Sequence, residues 1–237
     1  MEFFANGPAR SKHTLVLAHG AGAPADAPDL VALAEGIAAA GVRVLRFEFP
    51  YMAARRTDGS QRGPDREPTL LRTWREAIEA ARPPRSRLFI GGRSMGGRMA
   101  SMVADEAEVA GLLCYGYPFH PPGQPDRLRT AHLAELRTPT RIFQGERDPF
   151  GVPAEVEGYT LSDAIEVVWL PDGDHSLKPR KASGFTAAGH LQTVVDLSVA
   201  FILDDSPGGV ARLRLGVARD PSATRPSRSV LIGPPRR

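Results

Sequence analysis

Three residues far apart in this chain have the side-chain types that nucleophilic acyl transfer requires: Ser94, Asp148 and His175. A serine hydroxyl is a poor nucleophile until a base takes its proton, and an imidazole serves best when a carboxylate holds its other nitrogen. Ser94 stands in GGRSMGG, where Gly92-Arg93-Ser94-Met95-Gly96 fits the pattern G-x-S-x-G. In that pattern the serine occupies a tight strand-to-helix turn, and the glycines remove Cβ atoms that would collide there. An apolar run precedes the stretch and a helix-like one follows it, which is the setting the chemistry needs. A glycine-rich turn with a capping serine is the competing reading of the same residues.

The acid and then the base are expected after the serine. Asp148 follows TRIFQG in ERDPFG, and His175 follows IEVVWL in PDGDHSLKP, so each is placed just past the carboxyl end of a strand. Glu146 on the same loop, and Asp172 and Asp174 beside the histidine, are the other candidate acids; residues so near in sequence seldom meet the ring nitrogen in line. His13, His120, His132 and His190 read as structural or solvated. His19 reads as a brace for the loop HGAGAP. A tetrahedral intermediate needs two N–H donors, and the candidates are the amide of Met95 and that of Ala21 or Gly22. An ordinary glycine-alanine turn is the alternative for HGAGAP.

The elements that must position these groups alternate along the chain. Apolar or β-branched runs at 13–20, 42–50, 88–91, 109–115, 140–145 and 165–170 predict six strands. Helical spacing of apolar residues predicts helices over 29–40, 69–81 and 96–105, and a closing helix around 191–202. A loop is expected after the second strand. Such alternation argues an α/β fold with a mostly parallel sheet and helices on both faces, in which ligands bind at the carboxyl ends of the strands.

The 237 residues suffice for one sizeable core, and the 42% hydrophobic and 24% charged shares are those of a soluble globular protein. Cys114 is the only cysteine, which excludes an intrachain disulfide and a two-cysteine metal site. No metal and no cofactor is expected. Neither a signal-peptide core nor a membrane span is legible, so a cytoplasmic location and no membrane partner are expected. The net charge of +3 is unevenly spread: seven arginines oppose Asp220 alone in 206–237, leaving 1–205 at −3. That arginine- and proline-rich segment cannot bury enough apolar surface to order itself. It is read as a flexible extension of a single domain over 1–205. A nucleic-acid or acidic-partner arm is the alternative, against which stand its spaced arginines and lack of interleaved aromatics, so no nucleic-acid partner is expected.

Taken together, HGAGAP, GGRSMGGRMAS, GYPFHPPGQPDRLRTAHL, QGERDPFG and GDHSLKP resemble blocks of the small α/β-hydrolases. They are close to dienelactone-hydrolase-like enzymes, and most similar to the bacterial group related to the testis-expressed and histone-acetyltransferase-complex α/β-hydrolase-like proteins. The resemblance covers roughly 14–203. It implies an α/β-hydrolase fold with Ser94, Asp148 and His175 as catalytic triad. Little sequence precedes Thr14 for the first strands of the full fold, so a reduced sheet of about six strands is expected. Dienelactone hydrolases proper use a cysteine nucleophile where this chain has serine, so activity on dienelactones is not implied.

The function expected is that of a carboxylesterase-like serine hydrolase acting on a small ester or amide. About two dozen residues, including Pro118, Pro121, Pro122 and Pro125, separate the fourth strand from TRIFQG, too few for a large helical lid. An open site for a small acyl substrate follows. Arg93, Arg98, Arg55, Arg56, Arg62 and Arg66 could favour an anionic substrate, but Asp58, Asp65 and Glu67 share the loop, and a solvated loop is the simpler reading. A non-catalytic interaction domain and an acyltransferase are the alternatives from other classes.

Overall fold

Every residue of β2 (His13–Ala18) is buried, with Leu15 and Leu17 in one apolar cluster and Val16 and Ala18 in the other. Side chains alternate along a strand, so burial of both sets requires helices on both faces of the sheet. The computed structural model describes residues 1–82 and 86–204. The extension read at 206–237 lies outside them.

On one face pack α1 (Pro28–Ala39) and α6 (Ala187–Leu203), whose Leu30, Leu33, Ile37, Val194 and Ile202 meet Leu15, Leu17 and Phe89. On the other face α3 (Glu67–Ala81) lays Leu70, Trp74, Ala77 and Ile78 beside Met99 and Ala100 of α4 (Met95–Ser101). Positions 70, 74, 77 and 78 fall on one stripe of a 3.6-residue helix, which is why this segment coils and buries that side. Each large apolar side chain so buried contributes about 1.5–3 kcal/mol relative to exposure.

Among the described residues the sheet has seven strands in the order β1-β3-β2-β4-β5-β6-β7, with β1 at Phe4–Asn6, β3 at Arg43–Phe47, β4 at Arg87–Arg93, β5 at Gly111–Tyr115, β6 at Thr140–Gly145 and β7 at Ile165–Leu170. These and β2 are the six strands legible in the sequence, and all six pair in parallel. The seventh, β1 (Phe4–Asn6), is a three-residue edge strand antiparallel to β3. It is too short to show an alternating pattern.

Two short helices lie where loops were expected. The strand β3 stops at Phe47, and Pro50 opens α2 (Pro50–Asp58) instead of ending the strand. A proline suits the first turn of a helix, where its missing N–H has no acceptor and its φ is already helical. Gly59, at φ 69°, closes that helix in the left-handed region. The other is α5 (Pro153–Val156), after β6. Between β5 and β6 the described chain forms only a 3₁₀ turn at Ala131–Ala134, so no large lid covers the sheet. No described helix is long and apolar enough to cross a membrane.

Candidate active site

Ser94 follows β4 directly and begins the turn into α4 at φ 46° and ψ −114°, in the positive-φ region that non-glycine residues rarely adopt. Such a backbone costs about 1–3 kcal/mol and persists only where its surroundings over-determine it. Here they do. The Ser94 N–H donates to Tyr115 O at 3.1 Å, and Ser94 O accepts from Arg98 N–H at 3.0 Å. Trp74 Nε1 donates to Gly96 O at 3.1 Å, tying α3 to the first turn of α4. A Cβ on Gly92 would stand 2.7 Å from Ala18 O, and one on Gly96 would stand 2.5 Å from His19 O. Only glycine lets β2 and this turn approach so closely.

The imidazole of His175 meets Ser94 from the loop after β7, with Nε2 2.9 Å from Ser94 Oγ. Its Nδ1 is 2.8 Å from Oδ2 of Asp148, on the loop after β6. The carboxylate can only accept, so the ring proton is assigned to Nδ1 and the lone pair to Nε2, facing the serine hydroxyl. Asp148 is fully buried, whereas the His175 side chain is a quarter exposed. The carboxylate is held on every side: Oδ1 accepts from Phe150 N–H at 2.9 Å, and Oδ2 also accepts from Gln144 Nε2 at 2.9 Å. The Phe150 ring lies against the imidazole with centroids 4.2 Å apart.

The alternative acids stand elsewhere. Glu146 accepts from Asp172 N–H at 3.0 Å. Asp172 pairs with Arg147 and Arg180, and these cations bring its carboxyl down to about 2. Asp174 accepts from Ser176 N–H at 2.8 Å and Lys178 N–H at 3.0 Å, closing the turn that carries the histidine. Three of the remaining histidines also have structural partners: His120 on Glu155 at 3.1 Å, His132 on Ser101 at 2.8 Å, and His190 on Leu177 O at 2.8 Å. His13 is buried in β2.

His19 braces the loop after β2. Its Nε2 accepts from Phe49 N–H at 3.1 Å and its Nδ1 contacts Gly20 O at 2.6 Å, an arrangement that suits a neutral ring. Burial pushes its pKa down, in the same direction. Tyr51 of α2 holds the same loop, donating toward Ala21 O at 2.9 Å and Gly20 O at 3.3 Å. Burial raises that phenol to about 12. In a trans peptide the N–H points opposite to the carbonyl, so anchoring Gly20 O and Ala21 O on Tyr51 turns the amides of Ala21 and Gly22 away from it. Ala21, Gly22, Ser94, Phe150 and His175 line one cavity of about 330 Å³. Met95 supplies the first amide of α4, which has no acceptor within the helix.

Of the six arginines singled out for an anionic substrate, Arg93 alone lines this cavity. Arg56 pairs with Glu48 at 2.7 Å and Asp26 at 2.9 Å, Arg98 with Glu67 at 2.9 Å, and Arg55 donates to Arg62 O. Arg62 and Arg66 are exposed. Among the described residues no group of three His, Cys, Asp or Glu side chains could hold a metal ion.

Gln144, Phe150 and Tyr51 are site residues that the sequence did not disclose. The one signal was Gln144, a polar side chain directly after the apolar pair Ile142-Phe143 near the end of TRIFQG.

The model of the alpha/beta hydrolase domain family matches residues 11–203. Among solved structures, an alpha-beta serine hydrolase homologue from Coxiella burnetii is 19% identical, with 84% of this chain and 89% of that one covered at a TM-score of 0.61. A lidless a/b serine hydrolase from Xanthomonas campestris is 20% identical over 86% and 89% at 0.61. A dienelactone hydrolase from Anabaena variabilis is 20% identical over 83% and 88%, again at 0.61. At such identities the likeness is one of fold.

Proposed function

Because the chain belongs to the alpha/beta hydrolase domain family, we propose that it is a serine hydrolase that cleaves a small ester or amide through an acyl-enzyme on Ser94. The observation that carries this reading is the relay Ser94 Oγ, His175 Nε2, His175 Nδ1, Asp148 Oδ2, with successive contacts of 2.9 and 2.8 Å. Neighbours of the same fold named as serine hydrolases support it.

In the first half-reaction Ser94 Oγ bonds to the substrate carbonyl carbon while its proton passes to His175 Nε2. Asp148 holds the ring and balances the charge of the imidazolium without taking its proton. The oxyanion accepts from the amides of Met95 and of Ala21 or Gly22, each such donor contributing about 10²–10³ in turnover. The carbonyl re-forms, the bond to the leaving oxygen or nitrogen breaks, and His175 returns the proton to that atom. Water then enters beside His175, gives one proton to Nε2 and attacks the acyl carbon; the carbonyl re-forms as the bond to Ser94 Oγ breaks, and His175 returns the proton to Oγ as the acid leaves. The site is open at His175, so water reaches it without a lid having to move.

Hydrolysis of short neutral esters by the wild type and by Ser94→Ala tests the reading. Turnover in the wild type, and its loss in a variant that unfolds at the same temperature, is the expected result; equal turnover by the two overturns it. Product analysis with added alcohol or amine separates hydrolysis from acyl transfer to another acceptor.

A further inference from the structure

A second cavity of about 320 Å³ lies beside the first, walled mainly by Leu33 of α1, Tyr115 of β5, Leu177 after His175, and Ala188, Leu191 and Val194 of α6. Asp29, Arg93 and Ser176 line both cavities. Arg93 immediately precedes Ser94 and Ser176 immediately follows His175, so the border between the two spaces lies one residue from each reacting group.

A concave, mostly apolar space with a few polar groups at one edge is the usual make-up of a small-molecule subsite. The charges at the border narrow the choice of occupant. Arg93 Nη2 donates to His175 O at 3.3 Å, and Arg93 Nε stands 3.9 Å from Asp29. The two opposite charges leave the border near neutrality, and Lys178, the other cation on the wall, is exposed. A substrate carboxylate placed there would gain Arg93 but also face Asp29. An uncharged alkyl or aryl group is neither drawn nor repelled by the pair, and gains contact with the apolar wall.

We propose that this second cavity receives an uncharged apolar group of the ester whose carbonyl stands at Ser94. The inference rests on the hydrolase reading above. The group could belong to the acyl or to the alcohol part, and the chemistry of the wall is the same for both.

Two series of neutral esters distinguish these sources: one lengthens the acyl group with the alcohol fixed, the other lengthens the alcohol from a fixed acetyl group. In one series kcat/KM is expected to rise about fourfold with each added methylene until the cavity is full. Ala188→Trp, which fills the cavity from an exposed position, is expected to abolish that rise while leaving turnover of the shortest ester and fluorophosphonate labelling at wild-type rates. Ala187→Trp, on the same wall, repeats the test should the first variant fold poorly. Rates flat with length in both series, or a rise that survives the variants, overturn the inference while the hydrolase reading stands. A wild type that neither takes the fluorophosphonate nor cleaves any ester removes that reading, and this inference with it.

Discussion

Gln144 donates from Nε2 to Asp148 Oδ2 at 2.9 Å, on the same oxygen that faces His175 Nδ1. The amide is itself fixed: its Oε1 accepts from Tyr117 N–H at 2.7 Å, and its Nε2 also reaches Tyr117 O at 3.2 Å and Gly151 O at 3.3 Å. A fully buried side chain thus locks the carboxylate that orients the imidazole.

Replacing Gln144 by Leu keeps roughly the volume and removes these bonds. Leaving buried polar groups unsatisfied costs about 1–3 kcal/mol, and a loosened carboxylate lowers kcat on the order of tenfold to a hundredfold. Urea unfolding and ester turnover measured on the same preparation check both halves. A variant with unchanged kcat would show that Asp148 holds its place without the amide.

In Asp148→Asn the new amide can donate to Nδ1, which moves the ring proton to Nε2 and takes away the acceptor for the Ser94 hydroxyl. A fall in kcat on the order of 10³–10⁴ with little change in KM is expected. Glu146, Asp172 and Asp174 are committed to other partners and should not rescue it. Activity within tenfold of wild type would return the role to one of them.

Gly96 and Gly22 make a paired test of the turn. A methyl on Gly96 meets the backbone of β2, which cannot yield, whereas one on Gly22 meets nothing within 4 Å. Gly96→Ala is expected to destabilise by about 1–3 kcal/mol or more and to displace Ser94. Gly22→Ala is expected to stay within about 0.5 kcal/mol of wild type. Thermal melts of the two variants decide, and equal melts would mean that the turn has room the geometry denies it.

How much of this was legible in the sequence depends on the physics of each element. The six parallel strands and the main helices show because burial on both faces imposes apolar runs at strand length and stripes at helical spacing. Ser94, Asp148 and His175 stand out because glycines flank the serine at a strand-to-helix turn, and the other two lie on loops that follow strands visible themselves. The edge strand Phe4–Asn6 did not show, being too short to carry a period. Neither did α2, because Pro50 reads equally as the end of a strand or the first turn of a helix. Phe150 lies against His175 and Tyr51 holds the loop after β2, contacts between segments remote in sequence that no spacing announces. Gln144 lies in β6 close to the carboxylate it holds, but its residue type does not say which group it meets.

The neutral His19 imposes a pH dependence on stability. Burial lowers its pKa in the folded chain, while in the unfolded chain it titrates near 6.5. The unfolded state therefore takes up the proton first as pH falls. The stabilisation is complete above about 6.5 and is lost between that pH and the lower folded-state value, with a slope of at most about 1.4 kcal/mol per pH unit. Burial shifts His132 the same way and adds to the slope. Urea midpoints at a series of pH values below 7 should show a shallower decline for His19→Gln than for the wild type. Parallel curves would assign the acid sensitivity elsewhere.

The most direct test of the account is to locate the covalent adduct left by a fluorophosphonate. Peptide mass mapping is predicted to find a single adduct, on Ser94 of the peptide containing GGRSMGG. It should be absent from Ser94→Ala and form orders of magnitude more slowly in His175→Ala. An adduct on another residue, or equal labelling of Ser94→Ala and wild type, would contradict the account.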